Sequence, residues 1–419
     1  MYRHMPAVPG KISTDKATLE SKLDLGPTVE SVFEKAEKPA VLVAGSLAID
    51  LSCDYAPLDG KGTTPVPQTS NPAIIKQSLG GVGHNVAIAV SQDGVSVLFC
   101  SIVGDDLSGR AALTALEKGK LITEGIRVLP ALSGMRTAQY VAINDMQKDL
   151  VVAMADMGIM EFTGQGLDFE AFWEPMVARA KPHWVVLDAN WSPEILSKWI
   201  EVAKEHGARV AFEPVSPAKC RRLFAAVRIS DSVVPSNAIS LATPNQLELT
   251  MMHNAARESG LLDSDNWWHV IDTMGIPSSA STRERLASLT STALVDQGIP
   301  QQTIQLLPLI PCILTTLGAN GVLLTQLLRP TDPRLTSPEA APYILSRGST
   351  SPDSVVGGIY MRHFPPAAVL HQGDISSVNG AGDTFLGALV AGLARGGQVE
   401  DLVPVAQEAS LKVLRGVDG

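Results

Sequence analysis

Cysteine is scarce in this sequence: Cys53, Cys100, Cys220 and Cys312 are the only four among 419 residues, and no two form a CxxC pair. That spacing argues against a zinc ribbon or a dithiol redox motif and suits buried thiols in a reducing compartment, the cytosol by default. Long apolar runs are missing as well. The nearest, Leu306 to Leu317, is interrupted by Pro308 and Pro311, which excludes a membrane span there, and the N-terminus lacks the apolar core of a signal peptide. Basic charge is also in deficit, with 33 Lys and Arg against 43 Asp and Glu and a formal net charge of −10. Without a basic cluster interleaved with aromatics, nucleic acid is not an expected partner. What is present, 45% hydrophobic and 18% charged residues, describes a globular chain with ample material for a core.

Residues 1–38 are polar, carry Pro6, Pro9, Gly10 and Pro27, and read as a flexible leader or linker remnant. Residues 39–419 read as one domain. Val41-Leu42-Val43-Ala44-Gly45 is an apolar run closed by glycine, and with Ser46 to Asp50 it predicts a buried strand that delivers Asp50 at its end. From Asp54 to Ser78 the chain is polar and rich in Pro and Gly, an excursion from the main sheet. Arg136–Ile143 and Leu150–Ala155 flank Asn144-Asp145 like a hairpin, so stretches near 51–79 and 135–156 are expected to form a small β lid. Strands are further expected at 95–103, 184–187, 209–212, 238–241 and 312–317, alternating with helices at 193–206 and 217–226 and one ending at Lys118. Such alternation argues for an α/β fold, a doubly wound and mostly parallel sheet covered on both faces. Residues 253–304 read as added helices with Trp267 and Trp268 in the core, 322–327 as the hairpin partner of 312–317, 329–358 as a loose surface loop, and 360–364 as the last strand before two helices.

Two glycine-rich stretches stand at helix starts. In Leu79-Gly80-Gly81-Val82-Gly83-His84-Asn85 the backbone can approach a ligand closely and Asn85 offers both donor and acceptor, although a structural turn accounts for the glycines equally well. In Ser377-Val378-Asn379-Gly380-Ala381-Gly382-Asp383, two glycines bracket one small residue just before an apolar helical run. Backbone N–H groups can converge there, where the helix dipole favours an anion such as phosphate. Asp383 lies where a general base for phosphoryl transfer is useful; by itself it reads as readily as an N-cap beside a tight turn. Asn245, after Pro244, likewise reads as a helix cap or as part of a site. A nicotinamide-binding fold would require GxGxxG after an early strand, and only Gly45 stands there.

Six motifs follow one another in a familiar order: Gly45-Ser46 with Asp50, Gly80 to Asn85, Gly104-Asp105-Asp106, Thr243-Pro244-Asn245 with Glu248, Thr316 to Gly321, and Gly380 to Asp383. In this order they resemble the PfkB carbohydrate kinase family, the ribokinase-like sugar and nucleoside kinases, from about residue 40 to 415. Each motif alone is common; six in order are specific. The resemblance implies a ribokinase-like fold in which Asp50 and Asn85 bind ribose hydroxyls and Gly81 lets the sugar pack against backbone. It implies that Asp383 deprotonates the attacking hydroxyl and that Gly380, Ala381 and Gly382 form the anion hole. Asn245, Thr316, Gly318 and Gly321 would bind the nucleotide, and Glu248 would hold magnesium through water. ATP and Mg2+ are thus the implied cofactors, and a small ribosyl compound the substrate.

Within the family, the form of Ser377 to Asp383 and the lid strand Arg136 to Tyr140 are most similar to the pseudouridine kinase domain. In fungi that domain is commonly fused behind a pseudouridine-5′-phosphate glycosidase. The leader here is too short for a glycosidase, so the resemblance implies a free-standing kinase or an excised half, coupled in function to that enzyme. The implied reaction is ATP-dependent phosphorylation of a ribosyl 5′-hydroxyl, pseudouridine to pseudouridine 5′-phosphate. Its alternatives are another sugar or nucleoside kinase of ribokinase or adenosine kinase type, and a catalytically silent member acting as a binding module. A homodimer through the lid is compatible with it. Ser377 stands where many ribokinase relatives carry an acid in a cation-binding loop, which implies little dependence on potassium. The chain ends at Gly419, where relatives often continue near the adenine.

Overall fold

Strands buried on both faces need apolar residues at every position, and alternate residues then feed two separate cores. In β1 (Val41–Ala44), Val41 and Val43 join one hydrophobic cluster and Leu42 and Ala44 the other. The computed structural model describes residues 38–416 except 59–61, 120, 165, 228–231, 277–279, 349–353, 372–373 and 377. The leader, Ser377 and the chain end therefore lie outside the described residues.

The remaining strands are β2 (Ala48–Tyr55), β3 (Ala73–Gly80), β4 (Val97–Gly104), β5 (Ile126–Leu129), β6 (Ala138–Asn144), β7 (Leu150–Asp156), β8 (Trp184–Asp188), β9 (Arg209–Glu213), β10 (Leu241–Ala242), β11 (Cys312–Thr316), β12 (Val322–Leu328), β13 (Ile344–Arg347) and β14 (Gly358–Phe364). Among the described residues ten of them form one sheet in the order β13-β14-β12-β11-β10-β9-β8-β1-β4-β5. The run from β11 to β5 is parallel throughout, and β12, β13 and β14 add antiparallel pairs at one edge. Connections leave β1 toward β4 on one side and reach β8 on the other, so the strand order reverses between β1 and β8. In doubly wound sheets ligands bind outside the carboxyl ends of the strands at such a reversal.

Helices cover both faces. On one lie α1 (Val82–Gln92), α2 (Leu107–Lys118), α5 (Ala381–Ala394) and α6 (Val399–Leu414), which bury Val86, Leu116, Leu386, Leu389 and Val403 in the same cluster as Val41 and Phe99. On the other lie α3 (Pro193–Glu205) and α4 (Gln246–Glu258), whose Ile195, Leu196, Leu249 and Met252 belong to the cluster that holds Trp173, Trp191 and Trp199. The Trp173 ring meets Trp191 edge-on at 5.8 Å and lies tilted 5.4 Å from Trp199, a large apolar payload held in specific geometry.

A second, four-stranded sheet has the order β3-β2-β6-β7 and forms the small β lid. It begins earlier than the apolar pattern suggests. The strand ending in Asp50 is not part of the main sheet: β1 stops at Ala44, and Asp50 is the third residue of β2, paired with Ser78 and Tyr140 inside the lid. The physical reason is the turn at Gly45-Ser46, where a buried carboxylate captures Ser46 and diverts the chain. Three other readings also change. The expected loose loop at 329–358 is ordered in its described first part, 329–348, which contains β13 and a turn anchored by Arg334, paired with Asp332 at 2.8 Å and Glu400 at 2.9 Å. The helix expected at 217–226 is confined to Arg222–Ala226, and of the tryptophan pair only Trp267 is core, Trp268 being 49% exposed.

Candidate active site

The first residue of α5 is preceded by Gly380 as N-cap, with φ 80° and no side chain closing the helix end. A left-handed N-cap of this kind suits glycine. The N–H groups of the first turn are thereby left to an external partner. Asp383 is the third helical residue and not the cap. Its carboxylate accepts a hydrogen bond from Asn85 Nδ2 at 2.8 Å, and Asn85 Oδ1 lies 3.3 Å from His84 Nδ1. The tight packing of α1 against α5 brings these side chains together across 298 residues of sequence.

Asp383 is pushed up to about 6, first by burial, and further by the negative charges of Asp188, Glu248 and Asp50; the bond from Asn85 opposes this. Glu213 and Glu248 are almost fully buried, and burial raises both. Glu213 accepts from Thr243 Oγ1 at 2.7 Å and feels the charges of Asp383 and Glu248. Asp50 is likewise raised by burial. Several carboxyl groups thus lie close enough to repel one another, which keeps a base near neutrality and makes their surroundings receptive to positive charge.

Two cavities adjoin the start of α5. Beside Ala381 and Gly382, a cavity of about 400 Å³ is lined by Thr316, Gly318, Gly321, Phe385 and Leu411 among others, mostly apolar. A groove of about 580 Å³ that also touches Gly380 is lined by Asn85, Asn379, Thr384 and Lys412 together with apolar groups such as Ile88, Ala388 and Val413. An apolar cavity beside a helix start that carries no side-chain cap fits a flat base joined to an anion.

The family model for pfkB family carbohydrate kinases matches residues 38–275 and 361–416. The chain belongs to this family. A pseudouridine-metabolizing bifunctional protein of Schizosaccharomyces pombe is 29% identical over 405 residues, covering 96% of this chain and 48% of that protein. A pseudouridine kinase of Escherichia coli is 29% identical over 231 residues, covering 52% of this chain and 63% of that one. The chain therefore spans about half the length of the first relative and less than two thirds of the second. Among solved structures, Arabidopsis thaliana ribokinase complexed with ribose and ATP matches with a TM-score of 0.59 and 16% identity, covering 91% of this chain and 94% of that one, a likeness of fold.

Asp383, Asn85, Asp50 and Glu248 share one electrostatic environment, and Gly380 to Gly382 adjoin it. Gly81 has φ 95°, and a Cβ there would lie 2.5 Å from the Ser46 carbonyl oxygen, so only glycine fits. Asn245 and Glu248 form a capping box at α4: Asn245 Oδ1 accepts from the Leu247 and Glu248 N–H groups at 2.9 Å, and Glu248 Oε2 from the Asn245 N–H at 2.9 Å. Thr316 bridges to Asn245 in parallel register, which sets the cavity beside that cap. The motif reading passed over Asp188 and Glu213, which end β8 and β9. The available signal was an acid closing each apolar run at the carboxyl edge of a parallel sheet. Val215, just beyond, has φ 67°, a strained conformation for a β-branched residue beside the site.

Proposed function

We propose that the chain transfers the γ-phosphoryl group of ATP to the 5′-hydroxyl of a ribosyl compound, foremost pseudouridine. The observation that carries the reading is Asp383, raised to about 6, beside an open helix N-terminus on Gly380. At neutral pH such a carboxylate takes the proton of the attacking hydroxyl, and the first-turn N–H groups of α5 favour the charge on the transferred phosphoryl group. Asp50 and Asn85 would receive the sugar hydroxyls, with Asn85 Nδ2 kept on Asp383. ATP would lie in the apolar cavity, its phosphates toward Gly382, with Asn245, Thr316, Gly318 and Gly321 on its phosphate side.

Among the described residues no three His, Cys, Asp or Glu side chains are grouped to chelate a metal ion. Mg2+ characteristically keeps several waters and binds through one or two carboxylates and the nucleotide's phosphates. Glu248, raised by burial and near enough for its charge to act on Glu213 and Asp383, fits as such a carboxylate acting through water. Bound there, the ion would offset the charge of the phosphates.

Pseudouridine as acceptor rests on the names of the two relatives and on the form of Ser377 to Asp383 and the lid strand. Coupling to a glycosidase is supported by the bifunctional relative. Cys100, Cys220 and Cys312 are free and buried, which suits a cytoplasmic setting, and among the described residues no helix is long and apolar enough to cross a membrane. The lid leaves Ile75, Val152 and Met154 exposed by 65%, 45% and 58%, an apolar surface that supports a homodimer contact there.

Coupled ADP release with ATP and magnesium across pseudouridine, uridine, adenosine, ribose and fructose tests the reading. The expected result is highest kcat/KM on pseudouridine. Preference for free ribose or fructose rejects that acceptor, and no transfer to any of them rejects the kinase.

A further inference from the structure

Both glycine motifs near the start of the domain converge on one carboxylate. Asp188 ends β8 with 2% exposure. Its Oδ2 accepts from the Ser46 N–H at 2.7 Å, the Ser46 hydroxyl at 2.9 Å and the Gly83 N–H at 3.1 Å, and its Oδ1 accepts from the Asn190 N–H at 2.9 Å. The Ser46 hydroxyl oxygen in turn accepts from the Val82 N–H at 3.0 Å and from Asn190 Nδ2 at 2.9 Å, while the Ser46 carbonyl accepts from the His84 N–H at 3.0 Å. Lys219 Nζ closes the chain by donating to Asn190 Oδ1 at 2.6 Å.

The first three N–H groups of α1 are therefore all spent on Ser46 and Asp188, and a carboxylate sits where the helix dipole favours negative charge. This helix start is plugged from within, whereas that of α5 carries no side-chain cap. The approach is close enough to require the glycines. A Cβ on Gly45 would lie 2.6 Å from Asp188 Oδ2, and one on Gly83 would lie 2.5 Å from the Gly45 carbonyl carbon. One turn along the helix so anchored stands Asn85, bonded to Asp383.

We infer that Asp188 is a positioning residue for phosphoryl transfer: it locks the start of α1 to the ends of β1 and β8 and thereby fixes Asn85 against Asp383. Gly45, Ser46 and Gly83 serve this lock, and of these two motifs substrate meets only Asp50, Gly81 and Asn85. A carboxylate is required because four donors and no other acceptor converge on it, and an apolar side chain would leave them unpaired in a buried site. The inference rests on the kinase reading for its activity measurement.

The experiment is a double-mutant cycle on kcat with Asp188→Ala and Asn85→Ala. Each single change is expected to lower kcat by about tenfold or more. If Asp188 acts through Asn85, the double variant falls no more than about threefold below the worse single variant, because coupled residues do not contribute independently. Fold-losses that multiply overturn the inference. Should the alanine variant not fold, the cycle is run with Asp188→Asn, whose single carbonyl oxygen keeps part of the lock. Amide hydrogen exchange of Val82, Gly83 and His84 in the Asp188 variant is read without turnover. Protection there is expected to fall at least about tenfold while that of Leu98 to Ile102 is retained; unchanged protection at α1 also overturns the inference. A parent protein that transfers no phosphate rejects the kinase reading alone, and the exchange measurement then decides the lock.

Discussion

Replacing Asp383 by asparagine separates a base held under electrostatic stress from a residue that only helps a helix begin. Between the ordinary 3.8 and about 6, the native state holds the Asp383 proton more tightly than the unfolded chain does. Native protein therefore binds more protons in that window, and stability falls as pH rises through it. Below about 3.8 both states are protonated and the penalty vanishes; above about 6 it is complete. At about 1.4 kcal/mol per pH unit the full penalty is about 3 kcal/mol, and solvent reaching the half-buried carboxyl reduces it to about 1–3 kcal/mol. Asparagine carries no charge and still offers an oxygen to Asn85 Nδ2. Asp383→Asn is therefore expected to be more stable than the parent by about 1–3 kcal/mol at pH 7.5, with the gain shrinking toward pH 4. Its kcat is expected to fall by about 10² to 10⁴, because the amide cannot accept the hydroxyl proton. Urea denaturation at pH 4, 5.5 and 7.5 reads the first effect and coupled ADP release the second. A pH-independent stability difference, or a kcat within about threefold of the parent, refutes the reasoning.

Two further substitutions probe the frame around the site. Gly81→Ala places a Cβ against the Ser46 carbonyl at φ 95°, so thermal unfolding is expected to report a loss of at least about 2 kcal/mol together with a raised KM for the acceptor; a neutral Tm would mean that the turn relaxes freely. Arg334→Met strands the largely buried Asp332 and Glu400 without their partner, and a loss of about 3 kcal/mol is expected in urea with kcat within about twofold; a loss under about 1 kcal/mol would show that the turn is not anchored there.

Much of this architecture was legible from local pattern. Continuous apolar runs such as Val97 to Val103 predict doubly buried strands, and every residue of β4 is buried. Glycines beside Ala381 predict an open helix start, and Gly380 provides it. These signals are local: side-chain period, turn chemistry and capping depend on neighbours a few residues away, so they survive in a linear reading.

What the linear reading could not settle depends on register and crossover. Asp50 was placed at a main-sheet strand end, but only the pairing of Ala48 to Tyr55 with β3 and β6 puts it in the lid. Asp188 and Glu213 belong to no motif in the linear sequence, and only the parallel order β1-β8-β9 aligns them at one carboxyl edge. Asn85 meets Asp383 only because α1 and α5 pack on the same face. The raised affinity of Asp383 for its proton has the same origin, since it comes from burial and from carboxylates carried on β2, β8 and α4. The residue types and the helix start were present in the order of amino acids; their distances, and hence their charges' effect on one another, exist only once the sheet has assembled.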